Sequence, residues 1–202
     1  MIYLYSGTPG SGKSLHVARV IYYTLLRKKP VICNFPINQS KVKHSDKYLF
    51  MDNLDLNPDK LMDYSKKYFD GDRVREGEIL LVIDECQMIF NARSWDAKGR
   101  EKWNKFFTLH RHFGYDIILV AQFDRMIDRQ IRSLIEYEQI HRKVTNFGWR
   151  GWLLCLFYLS PSLFCSIKMW YPMKERISSE MFKAKKKYYQ IYDTYAIFEH
   201  SD

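Results

Sequence analysis

The feature that most restricts what this chain can become is Gly7-Thr8-Pro9-Gly10-Ser11-Gly12-Lys13-Ser14, which follows the short apolar run Ile2-Tyr3-Leu4-Tyr5 almost directly. It matches the pattern G-x-x-x-x-G-K-[ST] at each specified position. Its setting gives the motif meaning: a strand precedes it, and Leu15, Ala18, Ile21, Tyr22, Leu25 and Leu26 recur at helical spacing after it. Polyphosphate is held by backbone N–H groups turned into one concavity, and glycines at 7, 10 and 12 permit the tight wrap. A helix starting near Gly12 adds the positive end of its dipole. Lys13 then reaches the β and γ phosphates, and the Ser14 hydroxyl is placed to ligate magnesium. ATP and Mg²⁺ are the expected cofactors, held by residues 7–14 and by Leu15 in the first helical turn.

The rest of the chain alternates strands and helices. Val31 to Phe35 reads as a strand between Pro30 and Pro36, Tyr48 to Met51 as another, and Asn57-Pro58-Asp59 as a capped helix start running to about Tyr68. Ile79 to Ile83 and Ile117 to Ala121 are unbroken apolar runs, the pattern of strands buried on both faces of a parallel sheet; a helical pattern from Arg100 to His112, closed by Gly114, lies between them. The expected fold is α/β, a mainly parallel doubly wound sheet forming one domain. Its core spans about residues 1–135, and a β-rich basic appendage follows over about 136–202.

Two strand ends carry candidate chemistry. Asp84 and Glu85 end the Ile79 strand, where open parallel sheets put ligands. Asp84 would hold the metal through water, and Glu85 would act as general base on an attacking water. Gln122 ends the next strand and is a candidate γ-phosphate sensor. Arg111 and Arg93 are candidates for an arginine that reaches a neighbouring subunit's nucleotide, a role the residues alone do not separate from surface charge.

Composition bears on partners. The formal net charge is +9, and residues 125–190 hold thirteen Lys and Arg against five Asp and Glu, so the excess sits on one flank suited to a polyanion. Cys33, Cys86, Cys155 and Cys165 form neither a C-x-x-C pair nor a ligand cluster with histidine, so reduced thiols in a cytosol are expected. Met1 to Tyr5 lead straight into the phosphate loop, so no signal peptide is expected at this end. Gly151 to Ile167 is uncharged, but it is short for a span and contains Ser160-Pro161, which reads as a turn between two strands. Ser179 to Lys187 reads as a last amphipathic piece.

With these residues placed, the chain resembles the zonula occludens toxin (Zot) family, the assembly ATPases of filamentous phages. The likeness is carried by Met1 to Ser14, Asn34, Leu81-Val82-Ile83-Asp84-Glu85-Cys86-Gln87, His110 to Asp116 running into Gln122, and Tyr189-Gln190-Ile191-Tyr192-Asp193-Thr194. The resemblance implies a sheet in which the sensor strand lies between the phosphate-loop strand and the Asp-Glu strand. It further implies an ATPase at the cytoplasmic face of the bacterial inner membrane that drives extrusion of single-stranded phage DNA. A homo-oligomeric ring, phage coat and assembly proteins, single-stranded DNA and the inner-membrane surface are the implied partners. Family members continue into a membrane span and an outer domain. The toxin activity of certain members is not carried over.

Two other readings compete. A small-molecule kinase can use the same loop, although Glu85 favours hydrolysis, since a water-activating carboxylate is counterproductive where water must be excluded. A GTPase is disfavoured because Asn104-Lys105 runs into Phe106-Phe107 and not into a guanine reader. A non-catalytic basic scaffold would bind single-stranded DNA through Lys185, Lys186 and Lys187 with Phe147, Trp149 and Trp152 stacking on bases; in a blander reading these aromatics fill a small core.

Overall fold

β1 (Ile2–Ser6) lies inside an eight-stranded sheet, and its burial follows from having a parallel neighbour on each side. The structure, a computed structural model, describes residues 1–91, 97–160 and 162–192. After β1 come α1 (Lys13–Leu26), β2 (Val31–Cys33), β3 (Tyr48–Phe50), α2 (Pro58–Phe69), β4 (Ile79–Ile83), α3 (Ala97–Leu109), β5 (Tyr115–Val120) and α4 (Arg129–Ser133). The chain then adds β6 (Tyr137–Lys143), α5 (Trp149–Phe157), β7 (Leu163–Trp170), β8 (Glu175–Lys183) and α6 (Lys186–Tyr189).

The strand order is β3-β2-β4-β5-β1-β6-β7-β8, parallel from β3 through β6 and antiparallel for β7 and β8. β5 therefore lies between the phosphate-loop strand and the Asp-Glu strand, the arrangement that the resemblance implied. Side chains alternate across the sheet. Leu4, Leu81, Ile117 and Leu119 join Leu61, Phe106 and Phe107 on one face, whereas Tyr5, Val82 and Ile118 join Ala18, Ile21, Tyr188 and Tyr192 on the other. Both faces being covered explains why β4 and β5 read as unbroken apolar runs. The α2 start is capped as its residues foretell, with Asn57 Oδ1 accepting from the Lys60 amide at 2.9 Å and Pro58 in the first turn.

The chain past residue 136 differs from its sequence pattern. The two strands expected to flank a turn at Ser160-Pro161 are instead a helix, α5, followed by β7; Pro161 itself lies outside the described residues. Leucines without an interior proline favour helix from Trp149 on, and the turn signal marks the end of that helix. No helix among the described residues is long and apolar enough to cross a membrane. The Ser179–Lys187 piece is also divided, its first part completing β8 and its last opening α6. Phe147, Trp149 and Trp152 do not fill a core: they are 44%, 70% and 63% exposed, and Val144, Cys155 and Leu163 form the small cluster beneath them. These strands are not detached from the phosphate-loop strand, because β6 pairs directly with β1.

Gly151 seats α5 on this extension, since a Cβ there would lie 2.0 Å from the Val144 carbonyl oxygen. Gly151→Ala is expected to lower stability by about 1–3 kcal/mol through overpacking against backbone. Thermal or urea unfolding would read this, and unchanged stability would mean that α5 does not rest on Val144.

Candidate nucleotide-binding site

The phosphate loop leaves β1 at Ser6 and enters α1 at Lys13. Gly7 has φ of +138° and Gly12 of +95°, a range that L side chains rarely adopt. Space forbids a side chain at both positions: a Cβ at Gly7 would lie 2.5 Å from the His141 carbonyl oxygen, and one at Gly12 would lie 2.5 Å from Phe164 Cδ1. The wrap is thus backed by β6 and β7. The Ser11 amide donates to Thr8 O at 3.1 Å, and the Gly7 amide donates to Gln122 O at 3.3 Å, which ties the loop to the end of β5. Lys13 Nζ donates to the loop's own carbonyls, Gly7 O at 2.7 Å and Thr8 O at 3.3 Å. Burial pulls its pKa below the usual lysine value, while Glu85 and Asp84 act in the opposite sense. These two carboxylates therefore share the loop's electrostatic neighbourhood.

Behind the loop, His16 Nδ1 and His141 Nε2 are 2.8 Å apart, both rings buried. Burial lowers His16 to about 3 and His141 to about 4, so both are neutral at neutral pH; the half-exposed Glu180, 3.3 Å from His16 Nε2, is too well solvated to offset this. The pair is a positioning contact between α1 and β6.

Asp84 is fixed by its neighbours. Its amide donates to Asn34 Oδ1 at 2.7 Å, and Asn34 Nδ2 donates to Asp84 O at 2.9 Å, so one side chain from the end of β2 brackets the backbone that ends β4. Asp84 Oδ1 accepts from the Glu85 amide at 2.9 Å, and Oδ2 accepts from the Tyr192 hydroxyl. The Ser14 hydroxyl is a neighbour of the same phenol and acts to lower its pKa, against burial and Asp84, which raise it. Tyr192 thus stands beside both candidate magnesium ligands and donates to one of them, Asp84. Burial pushes the Asp84 carboxyl up, opposed by the hydrogen bonds from Tyr192 and the Glu85 amide. Glu85 has φ of +45°, a left-handed conformation costly for a non-glycine residue, and its Oε2 accepts from Gln87 Nε2.

The donor set fits magnesium accompanying a triphosphate, which needs one or two protein oxygens, phosphate oxygens and water, and not an all-protein cage. A hydroxyl and a carboxylate are present, and the described residues hold no group of three or more His, Cys, Asp and Glu that could replace them. Tyr192 is the residue that residue-by-residue reading missed; its signal was the segment Tyr189 to Thr194, of which Asp193 and Thr194 lie outside the described residues.

An open cleft of about 430 Å³ runs along the other side of the loop, lined by Gly7, Thr8, Gln122, Glu138, His141 and Phe147 among others. Gln122 is therefore beside the phosphate loop. Leu15 contributes its side chain to the core, so only its backbone can serve a ligand. Arg111 is not brought into the site: it precedes β5, at the opposite end of the sheet, and its Nη2 donates to Glu136 Oε2 at 2.6 Å. Arg93 lies outside the described residues.

Comparison with known proteins follows from this geometry. The family model of zonular occludens toxin (Zot) matches residues 1–197. The Gene 1 protein of Enterobacteria phage fd is 28% identical over 139 residues, 66% of this chain and 39% of that protein. ORF301 of Pseudomonas phage Pf3, whose name provisionally makes it an assembly protein, is 29% identical over 137 residues, 67% of this chain and 40% of its own. The chain thus spans about two fifths of the length of these relatives. Among solved structures, the N-terminal domain of zonular occludens toxin from Neisseria meningitidis superposes with a TM-score of 0.60 at 20% identity, covering 95% of this chain and 98% of that one. The genome packaging NTPase B204 of Sulfolobus turreted icosahedral virus 2, in complex with AMPPCP, gives a TM-score of 0.56 at 17% identity, covering 91% and 97%. The shared fold is that of P-loop NTPases.

Asn34→Ala removes both bonds that bracket Asp84 and leaves its amide without a partner, so a loss of about 1–3 kcal/mol is expected in urea unfolding. A variant as stable as the unchanged chain would show that the bracket is dispensable.

Proposed function

Because the chain belongs to the zonular occludens toxin (Zot) family, we propose that it is an ATP-binding and ATP-hydrolysing motor domain acting in filamentous phage assembly. The observation that carries this is the convergence of Ser14, Asp84 and Tyr192, with the Tyr192 hydroxyl donating to Asp84 and with Lys13 and Glu85 beside them. The nucleotide reading gains support from B204, a neighbour in fold that has been crystallised with ATP-gammaS.

In this reading Lys13 exchanges the carbonyls of Gly7 and Thr8 for β and γ phosphate oxygens, and the amides of residues 7–14 take the remaining charge. Ser14 and Asp84 would hold magnesium, whose charge would screen the triphosphate during attack. Glu85 accepts a proton from the water whose oxygen attacks the γ phosphorus, while the bridging oxygen leaves with ADP. The Gln87 amide holds the Glu85 carboxylate in place, and Gln122 connects the γ-phosphate side to β5. Arg111 or Arg93 would act only across a subunit boundary. We further assign to the whole protein a homo-oligomeric ring at the cytoplasmic face of the inner membrane, working on single-stranded DNA with phage coat and assembly proteins. Residues 1–202 form a single domain in this proposal.

Measuring nucleotide binding and phosphate release for the unchanged chain, Lys13→Ala and Glu85→Gln tests the chemistry. Lys13→Ala is expected to weaken binding by roughly 10–100-fold, the scale of a lost charge-assisted contact. Glu85→Gln is expected to bind normally but turn over roughly 10²-fold or more slowly. Undiminished turnover in Glu85→Gln would falsify the assigned base, and phosphate transfer strictly dependent on a nucleoside monophosphate acceptor would replace the motor with a kinase.

Tyr192→Phe frees the Asp84 carboxylate from the hydroxyl that donates to it. Magnesium-dependent nucleotide binding is then expected to tighten roughly three- to tenfold, and metal-free binding to stay level, in paired calorimetric titrations with and without chelator. Weaker magnesium-dependent binding would mean that the phenol orients the metal ligands and does not compete with the ion.

A further inference from the structure

Helix α5 presents its apolar side outward. Trp149, Trp152, Leu153 and Leu156 recur at helical spacing and are 70%, 63%, 47% and 57% exposed, while Gly151 and Cys155 on the opposite side are buried. Phe157 and Leu159 extend the patch at 84% and 87% exposed. Such a contiguous group is not the scattered apolar exposure common on soluble surfaces.

Its electrostatic setting is one-sided. From Gln139 to Lys174 the chain has no acidic residue. Arg142, Lys143 and Arg150 are the basic residues adjoining α5 in the chain, whereas Lys174 is paired with Glu138 and Asp124 and Lys168 lies over the Tyr3 and Tyr137 rings. The Arg150 guanidinium lies 5.6 Å from the centre of the Trp149 ring, and Lys183 Nζ lies 6.0 Å from that of Tyr158. Lys183 pairs in register with Leu163 at the start of β7. Cations thus border the apolar patch.

We propose that this face docks on an anionic membrane surface, with α5 lying in the interfacial plane. At 1.5 Å per residue its nine residues extend only about 13–14 Å, less than half of a hydrocarbon core of about 30 Å, so it rests in one leaflet and does not cross. Tryptophan suits the boundary between headgroups and acyl chains, the leucines and Phe157 suit the acyl side, and bordering cations meet lipid phosphates. A second copy of the chain matches less well, since two faces of the same positive sign would be opposed. Single-stranded nucleic acid would use the aromatic faces but gains nothing from Leu153, Leu156 and Leu159, which have no ring to stack. This inference is independent of the assigned ATP chemistry.

The test is co-flotation of the full chain with vesicles of phosphatidylcholine alone and of phosphatidylcholine mixed with phosphatidylglycerol, with tryptophan emission followed in parallel. Flotation and a blue-shifted emission are expected on the phosphatidylglycerol vesicles, with partial release at high salt. The double variant Trp152→Ser with Phe157→Ser is expected to float at least tenfold less while melting at the same temperature. As a second variant that keeps the apolar face intact, Arg150→Gln with Lys183→Gln is expected to lose binding severalfold on the anionic vesicles. No flotation of the unchanged chain would overturn the proposal, as would equal flotation of the apolar variant. It would equally fall if that variant lost self-association without lipid, or lost binding to a single-stranded oligonucleotide, while its vesicle binding stayed intact.

Discussion

The pairing of β5 between β1 and β4 is the constraint on which the rest of the structure depends. Parallel strands require crossovers, and these carry α1 to one face of the sheet and α2 and α3 to the other, so all three strands are buried on both sides. Parallel pairing also brings their carboxyl ends to one edge. Ser6, Asp84 and Gln122 come from strands far apart in sequence, yet they converge there because the register leaves no alternative. A one-residue slip of β5 would turn Ile118 and Ile117 to opposite faces and misplace Gln122 together with the carbonyl that receives the Gly7 amide.

The edge so formed is completed from the end of the described chain. Ile191 accepts a hydrogen bond from the Asn38 amide at 2.9 Å, the Tyr192 ring meets Phe35 edge-on, and Tyr188 is buried against α1. These contacts bring the Tyr192 hydroxyl to Asp84, near Ser14, from outside the strand-helix units that supply those two residues. In the proposed reading, an ion that took up Asp84 Oδ2 directly would have to share that oxygen with the Tyr192 hydroxyl or displace it. This link is local and steric, and it requires no long-range pathway.

How much of this was readable before coordinates depends on whether the signal was local. The phosphate loop was legible because eight adjacent residues carry both the conformational requirement and the chemistry. β4 and β5 were legible because burial on both faces writes itself as an unbroken apolar run. Tyr192 was opaque as a site residue, since nothing in its neighbours says that the chain returns to Asp84, 108 positions earlier. Arg111 was read for a role across a subunit boundary, and the residues alone did not say where it sits: its guanidinium is engaged by Glu136 at the far end of the sheet from the phosphate loop. For α5 the misreading was of period. A nine-residue helix whose apolar stripe faces outward, followed by a serine-proline signal, looks in sequence like the first of two strands around a turn, because composition does not tell which side faces the core; the second expected strand is present as β7.

The β6–β8 extension makes the phosphate loop and α5 parts of one packed body. His141 of β6 backs Gly7, Phe164 of β7 backs Gly12, and Gly151 of α5 rests on the Val144 carbonyl immediately beyond β6. Each contact is at or inside van der Waals distance for any added atom, and close-packed interiors of this kind deform little. The loop therefore has β6 and β7 seated directly behind it. The glycines at 7 and 12 are thus required by the extension as well: it fills the space on the outer side of the loop, and a side chain at Gly7 would meet the His141 backbone of β6, and one at Gly12 the Phe164 ring of β7.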